Sequence, residues 1–600
     1  MKLPSFSQIL QTGRKTFLRF PLVLLSAIGA TVSAIVLIDH EGPASATILF
    51  NLLFGSILGI PLLLAIALTT ERRGWSSIGS YIAQSAGIVL LILYALTVPS
   101  ALGSAPIYHV QRLMLLGVGA LCLLSVGPFL GLDGQQSFWQ YNKTLVFRFL
   151  GAALYSTILY IGLSLALVAV DQLFGLEIPG RRYGQLWFFI AGILNTWLFL
   201  AGIPERFDVF EQSVEYPKSL RLLVQYVLVP LAVVYAIIIY AYIGKILISW
   251  QWPDGMISPM ILGFAVTGFF SLALVYPLHE REAVGWMSAI ARWFPYTMIP
   301  LVALFPFAIW RRVSEYGITE ARYVALVLAA WLFVTVGYFV FVRERNFRYF
   351  PTTIGVLAVL VSYGPWNMFE VSARSQVERL KELLVQNSIL VGGAIQKAPR
   401  SVSRESAKNV SSILDYLHLV HGYDRIQAWF PTSLRADTRD QILATKAPEV
   451  VADLMGVPYV HLRPASPGSV VSFGIDQNSS VAVKGYDRLV RLQFVNRGGV
   501  KKEYVPDSVS IELSNNLDSL TIRTHASGIL LIFDLRPTAS ELLTEYANEG
   551  VGNVPPEKLT LTAATAGLRA TVFLRSLQAR RRGEGIEISN VSADVAFAVE

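Results

Sequence analysis

Long apolar runs separated by short polar breaks follow one another along the chain up to about residue 366. A run of about 20 apolar residues is long enough to cross a hydrocarbon core of about 30 Å, and in lipid its backbone must satisfy its own hydrogen bonds, which selects helices. Eleven such runs are read, at 20–38, 46–68, 81–98, 113–130, 149–170, 186–203, 222–247, 257–276, 294–310, 323–342 and 350–366; the ninth and eleventh are short and contain proline. Arg14, Lys15 and Arg19 precede the first run as they would a signal peptide, but it continues through Ile35, Val36, Leu37 and Ile38, longer than an h-region, and is read as an uncleaved span.

After residue 366 the period changes. Val377, Leu380 and Leu384 recur at helical spacing, while Glu370, Arg374, Glu378 and Glu382 follow at i+4 on a solvated face, which predicts an amphipathic helix leaving the bilayer. Further helices are expected at 405–420 and 439–454, after a Pro/Ser connection at 397–404. Beyond a Pro/Gly/Ser linker at 463–469 the alternation becomes two: Val490, Leu492 and Phe494 alternate with Arg491 and Gln493. Similar runs at 509–513, 529–533, 559–562, 569–574, 585–589 and 595–599 are separated by turn signals at 497–499 and 552–556, and Thr538 with Glu541 makes a capping box for one helix among them. The fold class predicted is an α-helical polytopic membrane bundle of about eleven transmembrane helices, with a C-terminal α+β extramembrane region ending in a β-sandwich-like module. The domains expected are a transmembrane helical domain at 1–366, a helical connector at 367–462 and a β-rich module at 463–600.

Composition agrees with this plan. The 600 residues are 54% hydrophobic and 15% charged with mean hydropathy +0.52, against about 25% charged in soluble proteins. The net charge of +8 is concentrated in the first 366 residues, with 23 Lys+Arg against 16 Asp+Glu; the remainder has 26 against 25. A nearly neutral extramembrane region offers no basic stripe for nucleic acid. Trp and Tyr gather near the run ends, among them Trp75, Trp293, Trp310 and Trp366, as interfacial anchors do. With the N-terminus inside, sixteen Lys/Arg fall on cytoplasmic loops and seven opposite. That favours a cytoplasmic N-terminus, and eleven spans then put the C-terminal region outside the cytoplasm.

Candidate chemistry is sparse. Asp39, His40 and Glu41 follow the first span, where lipid-linked glycosyltransferases carry an acid; the alternative is the charged end of a helix. Arg181 and Arg182, before Tyr183, fit an anionic headgroup or a solvated loop offset by Asp171 and Glu177. Asp415, His418 and His421 stand at i, i+3 and i+6, a spacing open to a metal or to a surface pair of histidines. Asn51, Gln84, Asn195 and Gln225 are the amides inside the spans, suited to interhelical hydrogen bonds; no central Asp, Glu, Lys or Arg accompanies them, which argues against proton coupling. Lys484-Gly485 lacks the second glycine of a phosphate loop, and Cys122 is the single cysteine, so no intrachain disulfide forms. No catalytic residue, cofactor or metal is assigned.

The stretch Tyr316-Gly317-Ile318-Thr319-Glu320-Ala321-Arg322-Tyr323, then Gly364-Pro365-Trp366 and Ser372-Ala373-Arg374-Ser375-Gln376-Val377-Glu378-Arg379-Leu380, with Gly485-Tyr486-Asp487 at a strand head, resemble a bacterial multi-pass family catalogued as domain of unknown function 4153. The resemblance extends over nearly the whole chain. It implies a bacterial inner-membrane protein with an extramembrane C-terminal region, and it implies no activity. Physically, Gly317 suits a tight connection, Thr319 an N-cap, and Gly364-Pro365 the end of the last span. The leading functional expectation is a non-enzymatic envelope protein whose outward-facing module binds a partner protein or an envelope glycan. The alternatives are a transporter or lipid-handling protein and, third, a lipid-linked glycosyltransferase-like enzyme. A closed bundle would favour the first, a cavity between the helices the second.

Overall fold

A computed structural model describes residues 6–39, 46–98, 107–132, 134–212, 216–249, 257–279, 285–342, 346–398, 402–435, 446–460, 471–474, 483–495, 502–505, 509–514, 517–525, 528–545, 554–582 and 585–599. The chain divides into two compact units, one of Met1–Glu382 with Tyr416–Lys446, the other of Leu383–Asp415 with Ala447–Glu600.

The first unit is helical. An unforeseen helix, α1 (Phe6–Arg19), precedes the spans α2 (Pro21–Asp39), α3 (Ala46–Arg72), α4 (Ser77–Leu96), α5 (Tyr108–Val126), α6 (Gln135–Phe174) and α7 (Arg181–Ala201). There follow α8 (Lys218–Ser249), α9 (Ile257–His279), α10 (Gly285–Tyr316), α11 (Glu320–Phe341) and α12 (Tyr349–Ser362). Among the described residues ten of these are long and apolar enough to cross a membrane; α12, with 14 residues, is the eleventh apolar run and falls short. Gly364, at φ +95°, and Pro365 stop it four residues before the expected limit of 366. Conversely, α10 runs unbroken for 32 residues through Pro295, Pro300 and Pro306, residues that helices in a membrane bundle tolerate better than helices in water. The 40 residues of α6 extend about 60 Å, twice the hydrocarbon core, so its first turns lie beyond the apolar run read at 149–170. There Tyr141 is fully buried, donating to the Leu124 carbonyl at 2.8 Å.

Small residues set the helix approaches. A Cβ on Gly355 of α12 would meet the Cβ of Cys122 in α5 at 3.0 Å. In α7 a turn of π-helix at Phe189–Leu194 carries Gly192, where a Cβ would fall 2.0 Å from Thr31 Oγ1 of α2.

The helix leaving the last span is α13 (Met368–Gln386), and α14 (Arg404–Val420) follows a short hairpin, β1 (Leu390–Val391) with β2 (Ala394–Ile395). Both residues of that two-residue turn, Gly392 and Gly393, have positive φ, which only glycine adopts freely in tandem. Of the helix expected at 439–454 the described part is α15 (Pro448–Leu454), opened by a proline whose missing N–H costs nothing at that position; residues 439–445 lie outside the described residues, as do the linker at 463–469 and the turn at 497–499.

The strands of the second unit are β3 (Val471–Gly474), β4 (Arg488–Val495), β5 (Lys502–Val505), β6 (Val509–Leu513), β7 (Ser519–Thr524), β8 (Leu530–Asp534), β9 (Thr560–Thr565), β10 (Leu568–Arg582) and β11 (Gly585–Val599). β5-β6-β7-β8 form an antiparallel meander; β3-β10-β11-β4 form the second sheet, with β9 also on β10. Register shifts at Leu574/Ser576 and Gln578/Ala579 let β10 pair β9 on one half and β3 on the other. The runs read separately at 585–589 and 595–599 are one strand, β11. Ile511, Leu520, Ile522 and Phe533 of the meander share a core with Val572, Leu574, Val591 and Val595 and with Leu542 of α16 (Arg536–Glu545), as a sandwich-like module requires. The expected capping box at Thr538 and Glu541 is corrected: α16 starts at Arg536, whose N–H is taken by Asp534 Oδ1 at 3.0 Å, and Glu541 pairs with Lys558.

Candidate functional site

Two features of the first unit bring polar chemistry together. The first is the connection between α10 and α11. Helix α10 ends at Tyr316, whose carbonyl receives Gln376 Nε2 at 3.0 Å, Arg379 Nη1 at 3.1 Å and Arg322 Nη1 at 3.1 Å. Carbonyls at a helix C-terminus lack intrahelical donors and carry partial negative charge, so guanidinium and amide groups are their natural partners. Ile318 N–H donates to Ser375 Oγ at 2.9 Å. Gly317, at φ +71°, leaves no room for a Cβ, which would lie 2.8 Å from Gln376 Nε2. Thus the stretches 316–323 and 372–380, distant in sequence, clamp α13 to the connection. Thr319 stands at the N-cap of α11 with extended backbone, but its hydroxyl makes no capping bond.

Next to the clamp, the first residue of α11 is Glu320, 6% exposed. Tyr416 Oη donates to its two oxygens at 2.7 and 2.9 Å, and His421 Nε2 lies 2.8 Å from Oε1 and 2.9 Å from the Tyr416 hydroxyl. A carboxylate out of water needs such partners, and the positive end of α11 adds to them. Burial first, and the Glu320 charge second, push the Tyr416 hydroxyl far above the usual phenol range, so it stays a donor. His421 stacks on Tyr108 at 6.2 Å, and Tyr108 packs against Phe369 at 5.3 Å. Nearby, Glu370 receives Arg425 through both oxygens and Arg374 at 3.2 Å, and the hydrogen bond from Arg425 is the main reason its carboxyl lies below the ordinary range. Imidazole, phenol and carboxylate are thus within hydrogen-bond distance of one another, with Glu320 and His421 both 7% exposed at the side chain, and the set latches the start of α11 to residues 416–421.

The second feature is a groove of about 840 Å³ walled by α3, α4, α5 and α12. Leu90, Leu116, Leu123, Val356 and Val359 are among its almost wholly apolar lining. One end is marked by Tyr94, Thr97 and Tyr363, the other by Leu130, Pro351 and Thr352; from Pro351 to Tyr363 the helical rise gives a length of about 18 Å. At the Tyr363 end, Arg112 lies over the rings of Tyr363 and Phe369 at 5.1 Å each and over Tyr108 at 5.4 Å. Around it, Tyr94 Oη, His109 Nε2 and Arg112 Nε are buried with no hydrogen-bond partner among the described residues.

The residues singled out in the sequence are distributed otherwise. Asp39 receives Gln185 Nε2 at 2.6 Å and pairs with Arg181 at 3.5 Å, while Arg182 donates to Gln185 Oε1 at 2.8 Å. Arg181 is therefore offset by Asp39, and Asp171 instead accepts from the Ile178 N–H. His40 and Glu41 lie outside the described residues. Asp415 accepts from Tyr459, His418 packs on Tyr423 and His421 on Glu320; among the described residues no three of His, Cys, Asp and Glu converge as metal ligands. Ser156 donates to Asn195 Oδ1 at 3.5 Å between two helices, as expected of a span amide, whereas Gln84 donates to Ser80 Oγ at 3.1 Å within its own helix. Gly485 has φ +92°, and Tyr486 bonds Thr571 while Asp487 N–H reaches the Phe597 carbonyl, so this motif secures the head of β4. Spacing along the chain does not show the Glu320–His421 contact, because 101 residues separate the partners and the local i, i+3, i+6 pattern groups His421 with Asp415 and His418.

Comparison with known proteins gives a match over residues 24–393 to a family model described as domain of unknown function, DUF4153. The match takes in the clamp, Glu320 and the groove; Gly485-Tyr486-Asp487 lies beyond it. An uncharacterised protein of Pasteurella multocida (strain Pm70) is 24% identical over 226 residues, 38% of this chain and 38% of that protein. No solved structure matches.

Proposed function

Because the chain belongs to the family described as domain of unknown function (DUF4153), a membership that brings no activity with it, we propose its role from its own geometry: it is a membrane protein that binds a bilayer lipid, with the acyl chains lying in the groove between α3, α4, α5 and α12. The apolar lining of that groove at membrane depth carries the reading. A void there loses dispersion contacts and water would lack polar partners, so hydrocarbon chains are the occupant of lowest free energy. A groove of about 18 Å accommodates a large part of an acyl chain, within a core of about 30 Å. The groove is the observation that puts the lipid-handling alternative ahead of the partner- or glycan-binding expectation.

We also read the N-terminus as cytoplasmic and the chain after 366 as extracytoplasmic, in a bacterial inner membrane; the distribution of Lys and Arg supports this. The experiment for the groove is mass spectrometry of lipid retained by the full chain purified in mild detergent. Val356→Trp fills the groove at a residue 54% exposed, and is expected to lower retained lipid several-fold with an unchanged unfolding midpoint. Equal retention by the variant would overturn the proposal.

A further inference from the structure

We infer that the Tyr363 end of the groove is a phosphate site, formed by Arg112, Tyr94 and His109, so that the lipid held there is an anionic phospholipid. The inference rests on the groove taking acyl chains and adds the identity of the headgroup. Its basis is a set of unmatched polar atoms. Tyr94 is 6% exposed and lines the groove, and its hydroxyl has no partner among the described residues. His109 is 3% exposed, and among the same residues neither its Nε2 nor the buried Arg112 Nε has a partner. Unpaired buried polar groups each cost on the order of 1–3 kcal/mol, and several together mark a place completed by a ligand.

The three residues lie at one end of the groove: His109 and Arg112 share one face of α5 at i and i+3, and Arg112 lies over the ring of Tyr363, which lines the groove together with Tyr94. What surrounds the guanidinium is a set of three rings, Tyr108, Tyr363 and Phe369, which fix its plane and leave N–H groups to an oxygen acceptor. Guanidinium and phenol are donors, and an imidazole nitrogen becomes one by choice of tautomer, so the site suits an oxyanion with several acceptor oxygens. Arg112 is near the start of α5, at a predicted end of the hydrocarbon layer, which is where a phosphate stands when its chains lie along the groove.

The test uses the full chain in detergent, stripped of lipid and offered phosphatidylglycerol, diacylglycerol of the same acyl chains, or sodium phosphate, with adducts counted by native mass spectrometry. Phosphatidylglycerol is expected to bind at about tenfold lower concentration than diacylglycerol. Arg112→Gln and, separately, Tyr94→Phe should remove most of that difference while diacylglycerol binding persists. Tyr94→Phe keeps the ring and decides the matter if Arg112→Gln fails to fold. Equal binding of the two lipids by the unaltered chain, or a preference untouched by Tyr94→Phe, would overturn the phosphate site while leaving the groove proposal standing. Capture of inorganic phosphate without lipid would also overturn it, since the source would then be the free ion. Binding of neither lipid would remove the groove reading itself.

Discussion

Glu320 keeps its carboxylate out of water on three supports: the Tyr416 hydroxyl, the His421 imidazole and the N-terminal end of α11. Removing one hydroxyl while keeping the ring isolates the hydrogen bond, and Tyr416→Phe should lower stability by about 1–3 kcal/mol, read as a reduced unfolding midpoint of the full chain. A midpoint unchanged by that substitution would mean the latch is idle. In the strand module Asp518 accepts from Ser514 Oγ and from the Arg536 guanidinium, and these bonds, Ser514 first, hold its carboxyl below the usual aspartate range. A depressed carboxylate pKa contributes stability that is complete above the unfolded value, about 3.9, and is lost as pH falls through the folded value. Hydrogen exchange of Ser519–Thr524 should therefore accelerate as pH drops below about 4, after correction for intrinsic rates, and Asp518→Asn should flatten that response. Local spacing exposed neither site. Asp518 and Arg536 meet only because β7 and β8 pair, and His421 turns to Glu320 only where Gly422, at φ +72°, ends α14.

The elements themselves were largely legible. Eleven apolar runs correspond to α2 through α12, since a bilayer demands a minimum number of apolar residues and punishes every interruption. What the pattern missed are the parts that apolar length does not govern: α1, the first turns of α6, and strands β3, β5 and β7. The close approach of helices was also invisible, because glycine at a crossing and glycine on a lipid face look alike in sequence. Gly192→Ala would drive a methyl into Thr31 of α2, and about 1–3 kcal/mol of overpacking is expected as a lowered midpoint. Gly151→Ala, with nothing within 4 Å of the added atom, is the control that should leave the midpoint where it was.

For the whole molecule, membrane residence followed from composition, whereas sidedness rests on loop charge and on the parity of the spans. That parity now turns on α12, whose 14 residues reach about 21 Å, so it spans only with bilayer thinning or interfacial anchoring by residues such as Trp366, which is exposed. A reporter fused after Glu600 is expected to be active outside the cytoplasm, and activity in the cytosol would take α12 out of the count. The sequence by itself determined the medium this protein lives in, the position of its apolar helices along the chain and the two-residue period of its C-terminal module, because hydrophobic burial and backbone satisfaction act locally along the chain. Only the tertiary structure decided that four helices leave a groove between them and that, among the described residues, Arg112 Nε, Tyr94 Oη and His109 Nε2 lack hydrogen-bond partners at its end. Cavities and unmet hydrogen bonds are properties of how surfaces meet, and no run of residues carries that information until it is folded.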